Sequence, residues 1–369
     1  MIYLDNAATT MIKPIAVPQA VVKAMQTMAS PGRGGHEPAM QAAKTVFDCR
    51  EAAAELFHVP SPEQIVFTMN ATHGLNIAIH SLAGRGSRVL VSGYEHNSVT
   101  RPLAALGAEI HVAQAPLFES DAMLSAFEKQ LPGMQLVVCT HVSNVFGFIL
   151  PIYEIARLCR EQGVPLIVDA SQSAGILEVD YERLGAAFIA MPGHKGLFGP
   201  QGTGILICAM PGRPLLSGGS GSDSIPQLMP DYLPDRLEAG THNVCGIAGL
   251  RAGIDYVRRS GQNSIYAHEN SLLQTMVKEL SDVEGLTLYT DHCRNQSGVL
   301  SLRSARMNCE EMASLLGEKG VCVRAGLHCA PYAHRTAGTL DSGTVRFSFS
   351  PFNCLEDVSL CCRFIKDLL

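Results

Sequence analysis

Residues 165–195, PLIVDASQSAGILEVDYERLGAAFIAMPGHK, decide the fold of this chain. The stretch contains two short apolar runs, PLIVDA and AAFIAM, and a polar segment follows each of them. A strand that is buried on both faces reads as a continuous apolar run, whereas a half-exposed strand alternates. The stretch therefore predicts two buried strands of a parallel sheet, with Asp169 at the end of the first and Lys195 just beyond the second.

The same pattern extends on both sides of this stretch. Apolar runs alternate with helical segments from about residue 63 to residue 207, and the strand candidates are EQIVFT, SRVLVSG, MQLVVCT, VPLIVDA, AAFIAM and TGILIC. Such alternation is typical of right-handed crossovers between parallel strands. Five strands are followed by polar motifs, which are THGLN, YEHNS, HVSN, DASQS and PGHK. Because ligands bind beyond the carboxyl ends of strands in such sheets, these motifs predict a single site.

A smaller domain is predicted after this region. Residues 214–243 are rich in Gly, Ser and Pro, which indicates a long functional loop. Helices are expected near residues 245–260, 263–283, 308–318 and 354–369, with strands at LTLYT, GVLSLR, VCVRAG and TVRFSFS. We therefore expect an α/β protein with a large domain over residues 12–245, built on a mainly parallel sheet flanked by helices, and a smaller α+β domain over residues 1–11 and 246–369.

The composition is typical of a compact globular protein that acts on small molecules. Of the 369 residues, 47% are hydrophobic and 17% are charged, and the formal net charge is −6. The chain has no Lys- or Arg-rich block, so the sequence gives no sign of a basic surface that would bind nucleic acid or an anionic membrane. The start MIYLDNAATT does not resemble a signal peptide and no apolar run is long enough to span a membrane, so we expect a cytoplasmic protein. The twelve scattered cysteines are expected to be reduced and mostly buried.

Asp169 and Lys195 together indicate a pyridoxal phosphate (PLP) site. A carboxylate at the end of a buried strand needs a partner that offsets its desolvation, and a protonated pyridine nitrogen is such a partner. Lys195 follows 26 positions later in the turn Gly193-His194-Lys195-Gly196, where a ligand can approach the backbone closely. Either residue alone is more often a helix cap or a solvated lysine. The pair, however, supplies what PLP chemistry requires, a lysine that bonds the cofactor and an acid that keeps its ring electron-withdrawing.

The motif Asn70-Ala71-Thr72-His73-Gly74 is the candidate for binding the phosphate. A helix is expected over residues 75–82, directly after the motif. Backbone amides at a helix N-terminus bind anions, and the Thr72 hydroxyl could add a further donor.

Nine motifs follow one another along the chain, namely YLDNAATT, NATHGLN, EHNS, VSNVFG, VDASQS, GHKGLFGPQGTG, RLEAGTHN, RAGLHC and VRFS. In this order, and over nearly the whole length of the chain, they resemble the motifs of a class V aminotransferase-fold enzyme of the cysteine desulfurase and selenocysteine lyase group. The resemblance implies a PLP-dependent transferase of fold type I that forms a homodimer.

The resemblance also implies a role for each matched residue. Lys195, Cys329 and His96 would be catalytic, with His96 stacked on the pyridine ring. The residues that would bind the cofactor are Ala71, Thr72, His73, His96, Asp169, Gln172, His194 and Lys195, with Gly240 and Thr241 reaching the cofactor of a partner subunit. The residues that would bind the substrate are Asn144, Arg324 and Arg346. A planar guanidinium such as that of Arg346 suits a bidentate clamp on a carboxylate.

Cys329 distinguishes a sulfur-transfer enzyme from other PLP enzymes. A lone cysteine is usually a buried small hydrophobe, but positive charge from Arg324 and His328 nearby could favour a thiolate here. By resemblance, L-cysteine would displace Lys195 from the cofactor, the freed lysine would remove the Cα proton, and the Cys329 thiolate would attack the substrate sulfur. The products would be a persulfide on Cys329 and L-alanine. The sequence does not choose between L-cysteine and selenocysteine as the substrate.

Three features bear on the subfamily. Pro192 stands where relatives commonly have a Ser or Thr that bonds the phosphate, and proline offers neither a hydroxyl nor an N–H donor. His73 occupies a position that is often acidic in relatives. Cys329 and Arg346 are only 17 positions apart, which resembles the branch of the family with a short loop around the cysteine. Since a short loop limits the movement of a persulfide, we expect a dedicated sulfur-acceptor protein that docks at the cleft.

Other functions remain open at this point. A metal-binding protein would use His328, Cys329 and His334 with Cys322, although their spacing C-x5-HC-x4-H is not a compact zinc pattern. An aminotransferase, epimerase or β-lyase of the same fold would need PLP but not Cys329. A scaffold subunit with a vestigial site conflicts with the joint presence of Asp169, Lys195 and Arg346.

Overall fold

A computed structural model describes residues 1–32, 34–291 and 295–369 of the chain. The helices in these ranges are α1 (Ala16–Thr27), α2 (Glu37–Phe57), α3 (Ala71–Leu82), α4 (Asn97–Leu106), α5 (Ser120–Gln130), α6 (Ile152–Gln162), α7 (Tyr181–Leu184), α8 (Val244–Ser260), α9 (Gln262–Leu280), α10 (Cys309–Glu318), α11 (Pro331–Thr336) and α12 (Leu355–Leu368). The strands are β1 (Ile2–Tyr3), β2 (Ile65–Thr68), β3 (Arg88–Ser92), β4 (Glu109–Ala113), β5 (Leu136–Thr140), β6 (Leu166–Asp169), β7 (Phe188–Pro192), β8 (Gly204–Cys208), β9 (Leu286–Tyr289), β10 (Val299–Ser304), β11 (Val321–Cys322), β12 (Arg324–Gly326) and β13 (Thr344–Ser348).

Seven strands form the larger sheet, in the order β2-β8-β7-β6-β5-β3-β4. Only β8 runs against its neighbours β7 and β2, and the remaining pairs are parallel. All six strands predicted between residues 63 and 207 lie in this sheet. The predicted α/β fold with a mainly parallel sheet is therefore confirmed.

Helices cover both faces of this sheet, which explains the continuous apolar runs. Val137 and Val138 are neighbours in β5 but belong to different cores. The core of Val137 includes Ile155 of α6, and the core of Val138 includes Leu75 of α3. Successive side chains of a strand point to opposite faces, so a strand between two helical layers must be apolar at every position.

The sequence reasoning missed β4, which lies at the edge of the sheet. Its sequence EIHVA contains a charged residue and a histidine, and Glu109 is exposed whereas Ala113 is buried. Polar and charged side chains are common on edge strands because one side of the strand faces solvent. The continuous apolar pattern that reveals central strands is therefore absent there.

A four-stranded antiparallel sheet, in the order β12-β13-β10-β9, forms in the C-terminal part of the chain. The predicted strand VCVRAG splits into β11, which pairs in parallel with β1, and β12, which pairs with β13. Ile2 and Leu4 share a core with Leu300 and Phe347, so the N-terminal segment packs with this sheet. The domain boundaries given above stay a prediction.

The helix at the candidate phosphate motif begins earlier than the sequence predicts. α3 starts at Ala71 rather than at residue 75, because the Asn70 side chain caps it by accepting a hydrogen bond from the His73 amide at 2.9 Å. Residues 214–243 contain no helix or strand, as expected for a loop. Among the described residues, no helix combines the length and apolar character that a membrane crossing requires. The described cysteines are all free and most are buried, while Cys293 lies outside the described residues.

Candidate active site

The five polar motifs meet in one cavity of about 190 Å³ at the carboxyl edge of the seven-stranded sheet. Each motif contributes at least one residue to its wall, namely Thr72, His96, Asn144, Asp169 and His194. The opposite wall comes from the C-terminal part of the chain, through Arg324, His328, Cys329 and Arg346. The structure thus brings together most of the residues that the sequence selected.

Lys195 lies in the tight turn after β7, and its side chain lines the cavity. A Cβ atom at Gly196 would come within 2.5 Å of the Ala174 carbonyl oxygen, so only glycine fits beside the lysine. The His194 carbonyl accepts hydrogen bonds from the Thr10 amide and from Lys13 Nζ, both at 3.1 Å, which fixes the turn to the N-terminal segment. Burial lowers the pKa of Lys195 to about 8, against the opposing attraction of Asp169.

Asp169 ends β6 and is almost completely buried, with 3% of its surface exposed. Its Oδ1 atom accepts a hydrogen bond from the Ser171 amide at 2.9 Å. Gln172 lines the same cavity and donates from Nε2 to the Ala7 carbonyl at 3.0 Å. A carboxylate at this depth needs a cationic partner, and the cavity beside it is where such a partner can bind.

An anion cradle lies at the N-termini of α3 and α4. Thr72 Oγ1 and Ser98 Oγ are 2.7 Å apart, and both side chains line the cavity together with Ala71 and His194. Helix N-termini present free amides and a positive dipole end to an anion. Pro192 also lines the cavity, and it adds no donor, as the sequence predicts.

His96 caps α4 and carries its ring proton on a defined nitrogen. Its Nδ1 atom accepts from the Ser98 amide at 3.0 Å, so the proton of the neutral ring lies on Nε2. Burial lowers the pKa of His96 to about 4, and the nearby Lys195 acts in the same direction while Asp169 opposes it. The ring is therefore neutral at physiological pH.

His73, Gly240 and Thr241 do not line this cavity. They line a separate cavity of about 230 Å³, and His73 Nδ1 accepts a hydrogen bond from the Met69 amide at 3.3 Å. Contact between His73 and the cofactor therefore stays a prediction, and the Lys195 cavity lacks the His73 side chain on its wall. Because α3 already begins at Ala71, residues 72 and 73 point about 100° apart around the helix axis, and only Thr72 lines the Lys195 cavity.

Cys329 lies in a turn whose backbone is held in an unusual conformation. His328 and Cys329 have φ angles of 51° and 56°, in the left-handed region that residues with a Cβ atom rarely adopt. Two hydrogen bonds hold the turn, one from Asn144 Nδ2 to the His328 carbonyl at 2.8 Å and one from the Asn97 amide to the Cys329 carbonyl at 2.7 Å. Asn144 lies in the loop after β5, and Asn97 begins α4. The Cys329 side chain is exposed and lines the cavity.

Two arginines stand directly opposite each other at this site. The register of β12 and β13 pairs Arg324 with Arg346, and like charges in such a pair repel. Arg346 is 1% exposed and donates to the Asn144 carbonyl at 2.9 Å and to Asp5 Oδ1 at 2.7 Å. Among the described residues, neither Arg346 Nε nor Asn144 Oδ1 has a hydrogen-bond partner, although both are buried. An anionic ligand would offset the paired positive charges and accept a hydrogen bond from Arg346 Nε. A donor group of the same ligand would satisfy Asn144 Oδ1.

His328 supplies no positive charge to Cys329, contrary to the expectation from sequence. Burial, with Arg346 acting in the same direction, lowers the pKa of His328 to about 2. The positive charge near the thiol therefore comes from the arginines. The described residues also contain no group of three or more His, Cys, Asp or Glu side chains with the geometry of a metal site, so the metal-binding alternative has no support in the structure.

Two residues of the site, Ser98 and Asp5, were not predicted from the sequence. Ser98 stands two positions after His96 inside the quoted motif EHNS, and that proximity could have revealed it. Asp5 is the acid of the opening motif YLDNAATT, but nothing in the sequence indicates that it pairs with a residue 341 positions away.

The mainly parallel sheet, with a lysine and a buried aspartate at its carboxyl edge, has the architecture of a fold type I PLP enzyme. The model of the family described as aminotransferase class V matches residues 2–360. The chain belongs to the class V aminotransferase family.

Relatives match the chain over its whole length. A probable cysteine desulfurase from Methanothermobacter thermautotrophicus is 34% identical, with 100% of this chain and 94% of the relative covered. A probable cysteine desulfurase from Pyrococcus abyssi is 32% identical, with the same coverage of 100% and 94%. Among solved structures, the apo cysteine desulfurase from Thermococcus onnurineus superposes with a TM-score of 0.91 at 32% identity, covering 100% of this chain and 94% of that one.

Proposed function

We propose that this chain is a PLP-dependent cysteine desulfurase, which converts L-cysteine to L-alanine and forms a persulfide on Cys329. The observation that carries the proposal is the position of the exposed Cys329 side chain, on the wall of the cavity that also holds Lys195, Asp169 and Arg346. Relatives named probable cysteine desulfurases match the chain from end to end, which supports the same activity.

The residues around the cavity fit PLP. Asp169 would pair with the ring nitrogen, His96 would stack on the ring, and Gln172 would reach the ring hydroxyl. The amides of Ala71 and Thr72, with the hydroxyls of Thr72 and Ser98 and the His194 side chain, would bind the phosphate. Bound PLP supplies an electron-withdrawing ring that acidifies the Cα–H bond of an amino acid.

The opposite end of the cavity fits the carboxylate of an amino acid. Arg346 Nε is a buried donor that lacks a partner among the described residues, and a carboxylate is an acceptor that suits it. Asn144 Oδ1 is a buried acceptor that lacks a partner there, so an N–H group of the substrate would have to donate to it. A substrate carboxylate would accept from the Arg346 guanidinium, and the Arg324 side chain would add a second positive charge. The substrate would then lie between the arginines and Lys195, with its side chain toward Cys329.

Lys195 and Cys329 would carry the proton and sulfur transfers. An amine with a pKa near 8 can take the Cα proton and return a proton at neutral pH. The Cys329 thiolate would form a new S–S bond with the substrate sulfur while the substrate C–S bond breaks. The carbon would keep the electron pair of that bond and gain a proton, so that alanine leaves and a persulfide remains on Cys329. A sulfur-acceptor protein would then take the sulfur from the exposed turn.

A homodimer is proposed from exposed apolar side chains and from a groove that Gly240 and Thr241 line. Val22 and Met25 of α1, Phe47 of α2, and Ile225 and Leu228 of the loop 214–243 are all exposed. Large apolar side chains that are exposed in one chain are often covered at an interface. A groove of about 730 Å³ beside Phe47 is also lined by Gly240 and Thr241. A second copy of this chain would cover the surface and bring Gly240 and Thr241 to the partner's cofactor, and light scattering should give a mass twice the 39.5 kDa of the chain.

The desulfurase proposal is tested by quantifying alanine and sulfide from L-cysteine in the presence of a reductant. Cys329→Ser should lose alanine formation by on the order of 100-fold, the low end of what a catalytic group contributes. Cys354→Ser is the matched control, because Cys354 is also an exposed thiol and serine keeps its helix-capping role. The absorbance of the lysine-bound cofactor should persist in both variants.

The outcomes separate the alternatives. Alanine from Cys329→Ser at the wild-type rate would refute persulfide chemistry on Cys329. Absence of alanine from the wild type, with cofactor absorbance present, would favour another class V reaction such as transamination or epimerisation. A parallel reaction with selenocysteine decides which of the two amino acids is the better substrate.

A further inference from the structure

A chain of hydrogen bonds runs behind Cys329 into the protein interior. His328 Nε2 lies 3.1 Å from the Arg324 carbonyl, and His328 Nδ1 lies 3.4 Å from His334 Nε2. His334 Nδ1 in turn lies 2.8 Å from Thr339 Oγ1. The planes of the two imidazole rings are nearly parallel, at 13° to each other, and the ring centroids are 5.6 Å apart.

The direction of each hydrogen bond follows from the groups involved. The Arg324 carbonyl can only accept, so the proton of His328 lies on Nε2. His328 is neutral, because burial keeps its pKa near 2, and its Nδ1 must therefore accept from His334 Nε2. His334 is also neutral, because burial lowers its pKa to about 4, so its Nδ1 accepts from the Thr339 hydroxyl. Every polar atom of both rings is satisfied by this single arrangement.

The turn at the end of this chain requires such restraint. His328 and Cys329 are two consecutive residues in the left-handed region, where a Cβ atom crowds the backbone. The backbone carbonyls of both residues are held by Asn144 and Asn97, as described above. A backbone hydrogen bond from the Ala330 amide to the Leu327 carbonyl at 2.9 Å closes the turn. The His328 imidazole adds a side-chain restraint, and the Arg324 carbonyl and His334 hold that ring.

We propose that His334 is a positioning residue that locks the His328 ring and thereby holds the Cys329 turn in the conformation that presents the thiol to the cavity. His334 is fully buried, does not line the cavity and touches no reacting atom. The proposal rests on the desulfurase function of Cys329. It assigns the histidine pair a role in orientation rather than in metal binding.

Three variants test the hydrogen-bond chain. His334→Phe keeps a flat ring but removes both hydrogen bonds, His334→Gln offers an amide donor and an acceptor in their place, and Thr339→Val removes only the last link. His268→Phe is the control, because His268 is a partly buried histidine of α9 that bonds the Asn353 carbonyl at 2.9 Å, away from the turn. Each variant is prepared as holoenzyme, and its cofactor absorbance and thermal unfolding are recorded first.

Two readouts follow. The first readout is the rate at which iodoacetamide alkylates Cys329 in the folded holoenzyme, quantified by mass spectrometry of the peptide that contains Cys329. This rate depends on the accessibility and orientation of the thiol and does not require turnover. The persulfide formed on Cys329 in a single turnover with L-cysteine reports its function. His334→Phe should lower the rate of persulfide formation by about tenfold, the effect of one lost buried hydrogen bond, and change the alkylation rate. His334→Gln should recover most of both rates, and His268→Phe should match the wild type.

Wild-type rates of alkylation and persulfide formation in His334→Phe would overturn the proposal, and so would a His334→Gln variant as impaired as His334→Phe. If His334→Phe does not fold, Thr339→Val takes its place, because it removes the hydrogen bond that orients the His334 ring. Wild-type rates of alkylation and persulfide formation in Thr339→Val would then overturn the proposed chain from Thr339 through His334 to the Cys329 turn. A wild-type enzyme that forms no persulfide would refute the desulfurase function instead. The alkylation rates would then still test the role of His334.

Discussion

Glu95 should make the stability of this protein fall as the pH rises toward 8, and Glu95→Gln should remove that dependence. The Glu95 side chain is completely buried between β3 and β5. Its Oε1 atom accepts from the Thr140 amide at 2.9 Å and from the Ser92 hydroxyl, while Oε2 has no partner among the described residues. Burial raises the pKa of Glu95 to about 8, and the nearby charge of Asp169 acts in the same direction.

The size of the effect follows from the two pKa values. In the unfolded chain the carboxyl has its ordinary pKa near 4.5, so between pH 4.5 and 8 the unfolded state has lost a proton that the folded state keeps. Stability therefore decreases as the pH rises through this window, by up to about 1.4 kcal/mol per pH unit and about 5 kcal/mol in total. Glutamine keeps the oxygen acceptor and cannot ionise, so this contribution disappears.

Urea unfolding of wild type and Glu95→Gln, at intervals from pH 5 to pH 8.5, measures the difference. Near pH 5 the variant should be slightly less stable than the wild type, because two unpaired amide N–H groups of glutamine replace one unpaired O–H of the protonated acid. Near pH 8 the variant should be the more stable protein by several kcal/mol. Parallel stability curves for the two proteins would refute the reasoning, since they would mean that Glu95 does not change its proton occupancy on unfolding.

Three further predictions concern the site. Arg346→Lys keeps the positive charge but loses the planar guanidinium, so the KM for L-cysteine should rise by about tenfold or more in steady-state assays. The cofactor absorbance should stay unchanged. An unaltered KM would mean that the substrate carboxylate binds elsewhere. Ser98→Ala removes the hydroxyl beside Thr72. Titration of the apoenzyme with PLP should then show about fivefold weaker binding, the effect of one lost hydrogen bond. Equal affinity would mean that Ser98 does not bind the phosphate. Asp169→Ala should lose activity by on the order of 100-fold or more and shift the cofactor absorbance, and a normal spectrum would argue against pairing with the ring nitrogen.

The larger sheet and the cavity at its edge could be predicted because their signals are local. A strand between two helical layers is apolar at every position, and the polar residues that follow it must lie at its carboxyl end. The convergence of Asp169 and Lys195 therefore follows from neighbouring strands and right-handed connections. The edge strand β4 was not predicted, because solvent on one side of it permits the polar residues Glu109 and His111, which interrupt the apolar pattern.

Side-chain direction and protonation could not be predicted in this way. The motif containing Thr72 and His73 is recognisable, but which of the two faces the cavity depends on where α3 begins, and the Asn70 cap decides that. The charge of His328 depends on burial, which lowers its pKa far below neutrality, and burial of a turn residue is not visible in the sequence. The pairing of Arg346 with Asp5 joins opposite ends of the chain and depends on the tertiary fold alone.

The hydrogen bonds of the Cys329 turn connect thiol placement to the closure of the cavity. The donors to the two turn carbonyls, Asn97 and Asn144, belong to the seven-stranded sheet region, whereas Cys329 follows β12 of the smaller sheet. Separation of the two sheets would break both bonds at once, and the left-handed turn would lose the restraint that offsets its intrinsic cost. The placement of the thiol therefore depends on contact between the Cys329 turn and the segments that contain Asn97 and Asn144. The hydrogen bonds to Asn97, Asn144 and the His328 ring thus restrict outward movement of the thiol, in line with the short segment between Cys329 and Arg346.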